Sequence, residues 1–268
     1  MSYIVDQNLP NGADIAAGLV PGWSLVHKFG RHLAVGTSFV PVSVGGIYLT
    51  PQPAAATTLR VKAGNANDTA AGSGAREVTV QGLDETGALV SEALATAGAS
   101  ASATTSATFI RLFRVFVSSS GTYAAPAAAP AAGSHAADVV IENGAGGTDW
   151  LTIDSTDTPK GQSEVAFYSV PLGFNAYVAS LLIAIETAAS AKPTEIVLIR
   201  REAILDAAAP YAPWRALMSF GGLIGVTTLR PNTPIKLSEL TDIGFLAKAA
   251  SGTPAVAIDF EIYLEATT

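Results

Sequence analysis

From Ala34 onward the chain is a succession of short β-forming runs, each closed by glycine, proline, asparagine or aspartate, and this punctuation leaves little room for long helices. The runs are Val35 to Val44, Thr58 to Ala63, Arg76 to Gln81, Ala88 to Thr96, Thr108 to Ser118, Ala137 to Glu142 and Asp149 to Ile153. Seven more follow: Glu164 to Val170, Ala176 to Glu186, Glu195 to Glu202, Arg215 to Leu223, Ile235 to Leu240, Ile243 to Ala249 and Ala255 to Glu265. Period-two alternation fixes which side chains share a face. In the last run Ile258, Phe260, Ile262 and Leu264 fall on one face and Asp259, Glu261, Tyr263 and Glu265 on the other. Val78 and Val80 likewise point at a core, before Gly82 to Gly87 turns the chain into the next strand.

The expected fold is therefore all-β: two antiparallel sandwich or jelly-roll-like domains preceded by an extended N-terminal arm. Residues 1–30 carry Pro10, Gly12, Gly18, Pro21 and Gly22 and read as the arm, with at most a helical turn. The first domain is expected over 31–158 and the second over 159–268. Within the first, the Ala/Pro segment 124–133 reads as a semi-extended loop, because its two prolines oppose both helix and central strand. An Ala-rich piece around Glu202 to Ala209 has the composition of a short helix that Pro210 and Pro213 would end.

Charge is scarce: only 14% of the 268 residues are Asp, Glu, Lys or Arg, against 49% hydrophobic. An ordinary soluble domain carries about 25% charged residues, so much of this surface is weakly solvated and suited to contact with other subunits. The formal charge of −7 is spread evenly, with 7 Lys/Arg against 10 Asp/Glu through residue 150 and 8 against 12 after it. No basic stripe exists to neutralise phosphates, which argues against direct nucleic-acid binding. The longest uncharged runs are broken by proline and glycine and do not read as membrane spans, and the first residues lack the pattern of a signal peptide.

Chemistry-bearing residues are sparse. The sequence has no cysteine, which removes disulfides, thiolate nucleophiles and Cys-ligated zinc. The histidines are His27, His32 and His135, and a spacing of five puts the first two on one face of neither helix nor strand. No G-x-S-x-G elbow occurs, and Gly72-Ser73-Gly74 precedes a strand without the rest of a phosphate-binding loop. Asn65, Asn67 and Asp68, or Asp154 and Asp157, have oxygen ligands suited to calcium, but turn formation explains such clusters equally. No catalytic residue, cofactor site or metal site is assigned, and a non-enzymatic role is expected. Arg111 and Arg114 fall on opposite faces of an otherwise apolar strand, and each needs a carboxylate or carbonyl partner if buried. Trp23, Tyr211, Trp214, Arg215 and Phe220 are the candidate interface residues: aromatic or guanidinium groups that could anchor a partner, or fill a buried corner.

Two stretches resemble a known family. Gly64-Asn65-Ala66-Asn67-Asp68-Thr69 through Gly74-Ala75-Arg76-Glu77-Val78-Thr79-Val80-Gln81-Gly82-Leu83-Asp84, followed by Phe109-Ile110-Arg111, is the first. Gly161-Gln162-Ser163 with Ala166-Phe167-Tyr168-Ser169-Val170-Pro171-Leu172-Gly173-Phe174-Asn175-Ala176-Tyr177-Val178, then Leu240-Thr241-Asp242-Ile243 and Lys248-Ala249, is the second. Together they are similar to virion structural proteins of tailed bacteriophages, especially phages of aquatic bacteria. The resemblance implies a virion protein made in the host cytoplasm and acting by assembly: capsid decoration or a head-attached appendage, with a neck, tail or fibre component as the alternative. Implied partners are other copies of the chain, by analogy as a trimer, and the major capsid protein or neck and tail proteins, with no membrane and no nucleic acid. A carbohydrate-binding or host-surface-binding β protein is the reading from a different class.

Overall fold

A computed structural model of the chain describes residues 10–44, 56–127, 133–155, 161–186, 192–206, 208–231 and 233–267. One short helix, α1 (Gly12–Ala16), precedes β1 (Trp23–His32), β2 (Val40–Pro41), β3 (Leu59–Lys62), β4 (Ala75–Leu83), β5 (Leu89–Ala95) and β6 (Arg111–Ser120). Then come β7 (Val139–Asn143), β8 (Asp149–Ile153), β9 (Phe167–Ser169), β10 (Phe174–Ile185), β11 (Thr194–Arg201) and β12 (Arg215–Leu223). The last four are β13 (Gly225–Leu229), β14 (Ile235–Leu237), β15 (Asp242–Ala249) and β16 (Val256–Ala266). The all-β expectation holds.

Two five-stranded antiparallel sheets form the larger unit. One runs β1-β16-β10-β13, with β14 also beside β10, and the other β12-β11-β15-β2, with β9 also beside β15. Ile258, Phe260, Ile262 and Leu264 of β16 point inward, as their alternation requires, and meet Ile196, Leu198 and Phe245 of the facing sheet. The Phe245 and Phe260 rings are tilted at 5.2 Å between centroids. Each fully buried side chain of this size contributes about 1.5–3 kcal/mol of transfer free energy. The smaller unit pairs β3-β7-β8 with β5-β4-β6 over Leu59, Val61, Val78, Val80, Val115, Ile141 and Leu151.

The division of the chain differs from the sequence expectation in two ways. Residues 23–30 are not arm: they belong to β1, which pairs with β16 along its whole length, from Trp23 opposite Glu265 to His32 opposite Val256. Their inward face, shared with Ile262 and Phe260, carries Ser24, Val26, Lys28, Gly30 and His32, so the usual apolar alternation is missing. Gly30 is required there, since a Cβ would lie 2.1 Å from the Ala166 nitrogen and 2.5 Å from the Val42 oxygen. Second, β1 and β2 belong to the larger unit although they precede the smaller one in sequence, so a cut near Thr158, itself outside the described residues, does not separate the two.

Nor are the cores separate. Leu83, Ile110 and Phe113 of the smaller unit join the larger core, while Val165, Phe167 and Ile199 join the smaller one. The strand expected over Val35 to Val44 shrinks to β2, and β13 is a further strand that the sequence pattern does not mark. The Glu202 to Ala209 piece is turn rather than helix where described, with Ala203 at φ 54°. Residues 1–9 of the arm and 128–132 of the Ala/Pro loop lie outside the described residues.

Deleting residues 1–30 removes eight of the ten residues of β1 and uncovers one edge of β16. The truncated chain is expected to yield no cooperatively melting protein by circular dichroism; a sharp transition near that of the full chain would contradict the placement of β1.

Candidate functional site

The two units meet around one carboxylate. Asp242, at the start of β15, is paired across the ladders with Ser169 of β9 on one side and Arg201 of β11 on the other. Its Oδ1 accepts hydrogen bonds from the Ser169 hydroxyl at 2.6 Å and from Arg111 Nε at 2.9 Å, and its Oδ2 accepts from Arg201 at 3.0 Å. Arg111 comes from β6 of the smaller unit and donates also to the Ile110 carbonyl. Arg111 and Asp242 are both fully buried. The Arg201 guanidinium lies 4.6 Å above the Trp214 ring, whose edge meets Phe167. The arrangement is a charge-assisted clamp whose four side chains are buried in the seam between the units. Arg114, the other arginine of that strand, is exposed and lies over the Phe116 ring.

Where β1 runs against the smaller unit, two clefts of about 440 and 390 Å3 open to the surface. They share His27, Lys28 and Arg114. Gln81, Leu89, Ser91 and Tyr168 line the first, and Gln162 and Ser163 the second. Lys28 is the unusual member. Only 6% of it is exposed, and its Nζ donates to the Phe113 carbonyl. Burial, with a smaller contribution from the Arg114 charge, lowers its pKa from 10.5 to about 7. His27, on the outward face, is 3.8 Å from the exposed Asp259 carboxylate.

The histidines are not brought into one centre. His27 and His32 occupy opposite faces of β1, and the His32 Nδ1 accepts from the Ala34 amide. His135 bridges the Ser134 hydroxyl and the Asp154 carbonyl. Asp68 is fully buried, and its carboxylate accepts the backbone N–H groups of Ala75, Ala136 and Ala137, stapling two loops together. Asn65 closes a turn onto the Asn67 amide, and Asn67 donates to the Tyr123 hydroxyl. Asp157 lies outside the described residues. Among those described, no three His, Asp or Glu side chains are grouped to hold a metal ion.

The candidate interface residues are dispersed. Trp23 stacks on Tyr177 at 5.5 Å, Trp214 is committed to the seam beneath Arg201, and Phe220 packs half-buried against the larger core. Tyr211 is 41% exposed, and Arg215 is exposed and paired with Glu202.

What sequence reasoning missed is the ribbon that follows. β12 and β13 are the terminal strands of the two large sheets and are joined through Ile224. From Ala216 to Leu229 there is no charged residue and no proline, while Ile224 is 44% and Val226 70% exposed. Two register shifts bend β12, leaving Met218 to Phe220 in regular pairing with β11.

No protein-family model matches the chain, and no curated protein matches it. A solved structure, the crystal structure of infectious bursal disease virus VP2 subviral particle, aligns with 91% of this chain and 77% of its own. The identity is 9% and the TM-score 0.20, a likeness too slight to carry an argument about fold or function.

Because the unfolded chain keeps the Lys28 proton up to its ordinary pKa of 10.5 and the folded chain releases it near 7, the unfolded state binds more protons between those values. Stability from this group is present above 10.5 and is lost as pH falls toward 7. Denaturant unfolding should therefore show stability rising above pH 7, by at most about 1.4 kcal/mol per pH unit from this residue, with the slope reduced in Lys28→Met. An equal slope in both proteins would mean that Lys28 is not desolvated.

Proposed function

We propose that this chain is a non-enzymatic structural protein of a tailed-bacteriophage virion, serving as capsid decoration or a head-attached appendage and acting by packing against further copies of itself and against capsid proteins. Its resemblance to such proteins over two long stretches supports the class. The observation that carries the mechanism is the β12–β13 ribbon. A terminal strand presents unpaired backbone donors and acceptors, and proteins ordinarily guard such edges with charge, proline or bulges. Here the bends in β12 are retained, but charge and proline are absent over fourteen residues, Ala216 to Leu229, that end both large sheets at once.

A net charge of −7 makes copies of this chain repel, and an uncharged edge is a place where two can approach without opposing like charges. Strand-to-strand pairing there, widened by Ile224 and Val226, would contribute to an interface in the range of about 1,600 Å2 in total that specific association typically uses. Repetition around a symmetric particle adds avidity without any single strong site. A neck, tail or fibre position would use the same edge, and location on the particle separates the two.

Gly221 is the position for a test, because a Cβ added there meets no atom within 4 Å. Gly221→Lys is expected to leave the melting temperature unchanged while shifting the protein from oligomer to monomer in sedimentation velocity and lowering its occupancy on particles. Cryo-electron microscopy of the particle should find the wild-type chain on the capsid lattice or its vertices; a ring or fibre below the portal would make it a tail component. Absence from every particle would overturn the reading.

A further inference from the structure

The clefts beside β1 have a feature that the assembly role does not use. Lys28 is buried beside a second cation, Arg114, and the charge acting on it is of like sign. Among the described residues neither cleft has an aspartate or glutamate in its lining, although acids outnumber bases by 22 to 15 in the chain. At the exposed rim His27 lies 3.8 Å from the Asp259 carboxylate. Burying an ammonium without a carboxylate beside it is unfavourable, and the Phe113 carbonyl offsets that only in part. The cost falls when an anion arrives from outside.

We propose that the groove between β1 and β6 is a binding site for an oxyanion, a phosphate or a carboxylate, held between the Lys28 ammonium and the Arg114 guanidinium. The guanidinium presents a planar fork suited to two oxygens, and the ammonium supplies a point charge from the floor. Gln81, Ser91, Gln162 and Ser163 stand around it as neutral hydrogen-bonding groups. Among the described residues β1 is the terminal strand of its sheet, and the groove runs along it. A volume of about 440 Å3 falls in the range of small-molecule sites, which leaves room for the body of a molecule that carries the anion. Leu89 and Val90 provide an apolar wall for it. Beside Lys28 and Arg114 stand His27 on β1, Asp259 across from it on β16, and Tyr168 on β9, whose burial raises its pKa.

The inference stands apart from the virion reading: a chain found on no particle could still bind an oxyanion, and a virion chain need not. Isothermal titration of the full chain at pH 6.5 and low salt, with inorganic phosphate, glucuronate and glucose in separate runs, tests it. Saturable binding of phosphate or glucuronate, with none of glucose, is expected, and the pair of probes distinguishes a phosphate from a sugar carboxylate as the recognised group. Lys28→Met and Arg114→Gln should each weaken that binding by about tenfold or more, the scale of one charge-assisted hydrogen bond. Arg114 is exposed, so its variant keeps the test usable if Lys28→Met folds poorly. Absence of saturable binding with both anions, or undiminished affinity in a folded Arg114→Gln, would overturn the proposal.

Discussion

The Asp242 carboxylate is the constraint on which the placement of everything else depends. It is fully buried, and burying an ionised carboxylate is tolerable only if its oxygens are filled by donors in good geometry. Ser169, Arg201 and Arg111 fill them, and because Arg111 belongs to β6 the requirement reaches across the seam into the smaller unit. Satisfying one charge therefore ties the six-stranded unit to the ten-stranded one. The mixed cores say the same in apolar terms: Phe113 and Leu83 sit in the larger core, Phe167 and Val165 in the smaller.

Fixing the seam leaves the two faces of interest on different sides of the larger unit. At one end of the first large sheet, β1 runs along the smaller unit and its inward Lys28 forms the floor of a basic groove. At the other end, β13 and its neighbour β12 end both sheets, with no charged residue from Ala216 to Leu229 to deter pairing. In the proposed assembly, copies would meet through one edge while the groove lies at the other. The first is suited to construction and the second to recognition of a small anionic group.

Much of the larger fold was legible because alternation leaves a strong signature when one face is apolar. β16, β4 and β12 fell where the sequence put them, and Val78 and Val80 are buried as their spacing requires. β1 escaped because its inward positions are filled by Ser24, Lys28, Gly30 and His32, each with a role that polarity patterns do not encode: two lie against a groove, one permits close approach of backbone, and one caps a turn. The clamp was half legible. The need of Arg111 for a partner follows from its apolar strand, but the identity of that partner, 131 residues away, does not. The groove was not legible at all, since its walls come from β1, β4, β5, β6 and β9 and only the fold assembles them. The same limit applies to the open edge: an uncharged run is visible in sequence, but its position at the end of two sheets is not.

The most direct measurement of the central claim is native-state amide hydrogen exchange on the full chain. If the clamp and shared cores make one cooperative body, the slowest amides of β4 and β6 and those of β10 and β16 will exchange with the same opening free energy, equal to that of global unfolding. Protection of β4 and β6 that is lost at a distinctly lower free energy, while β10 and β16 stay closed, would show two units that open independently and would contradict the account.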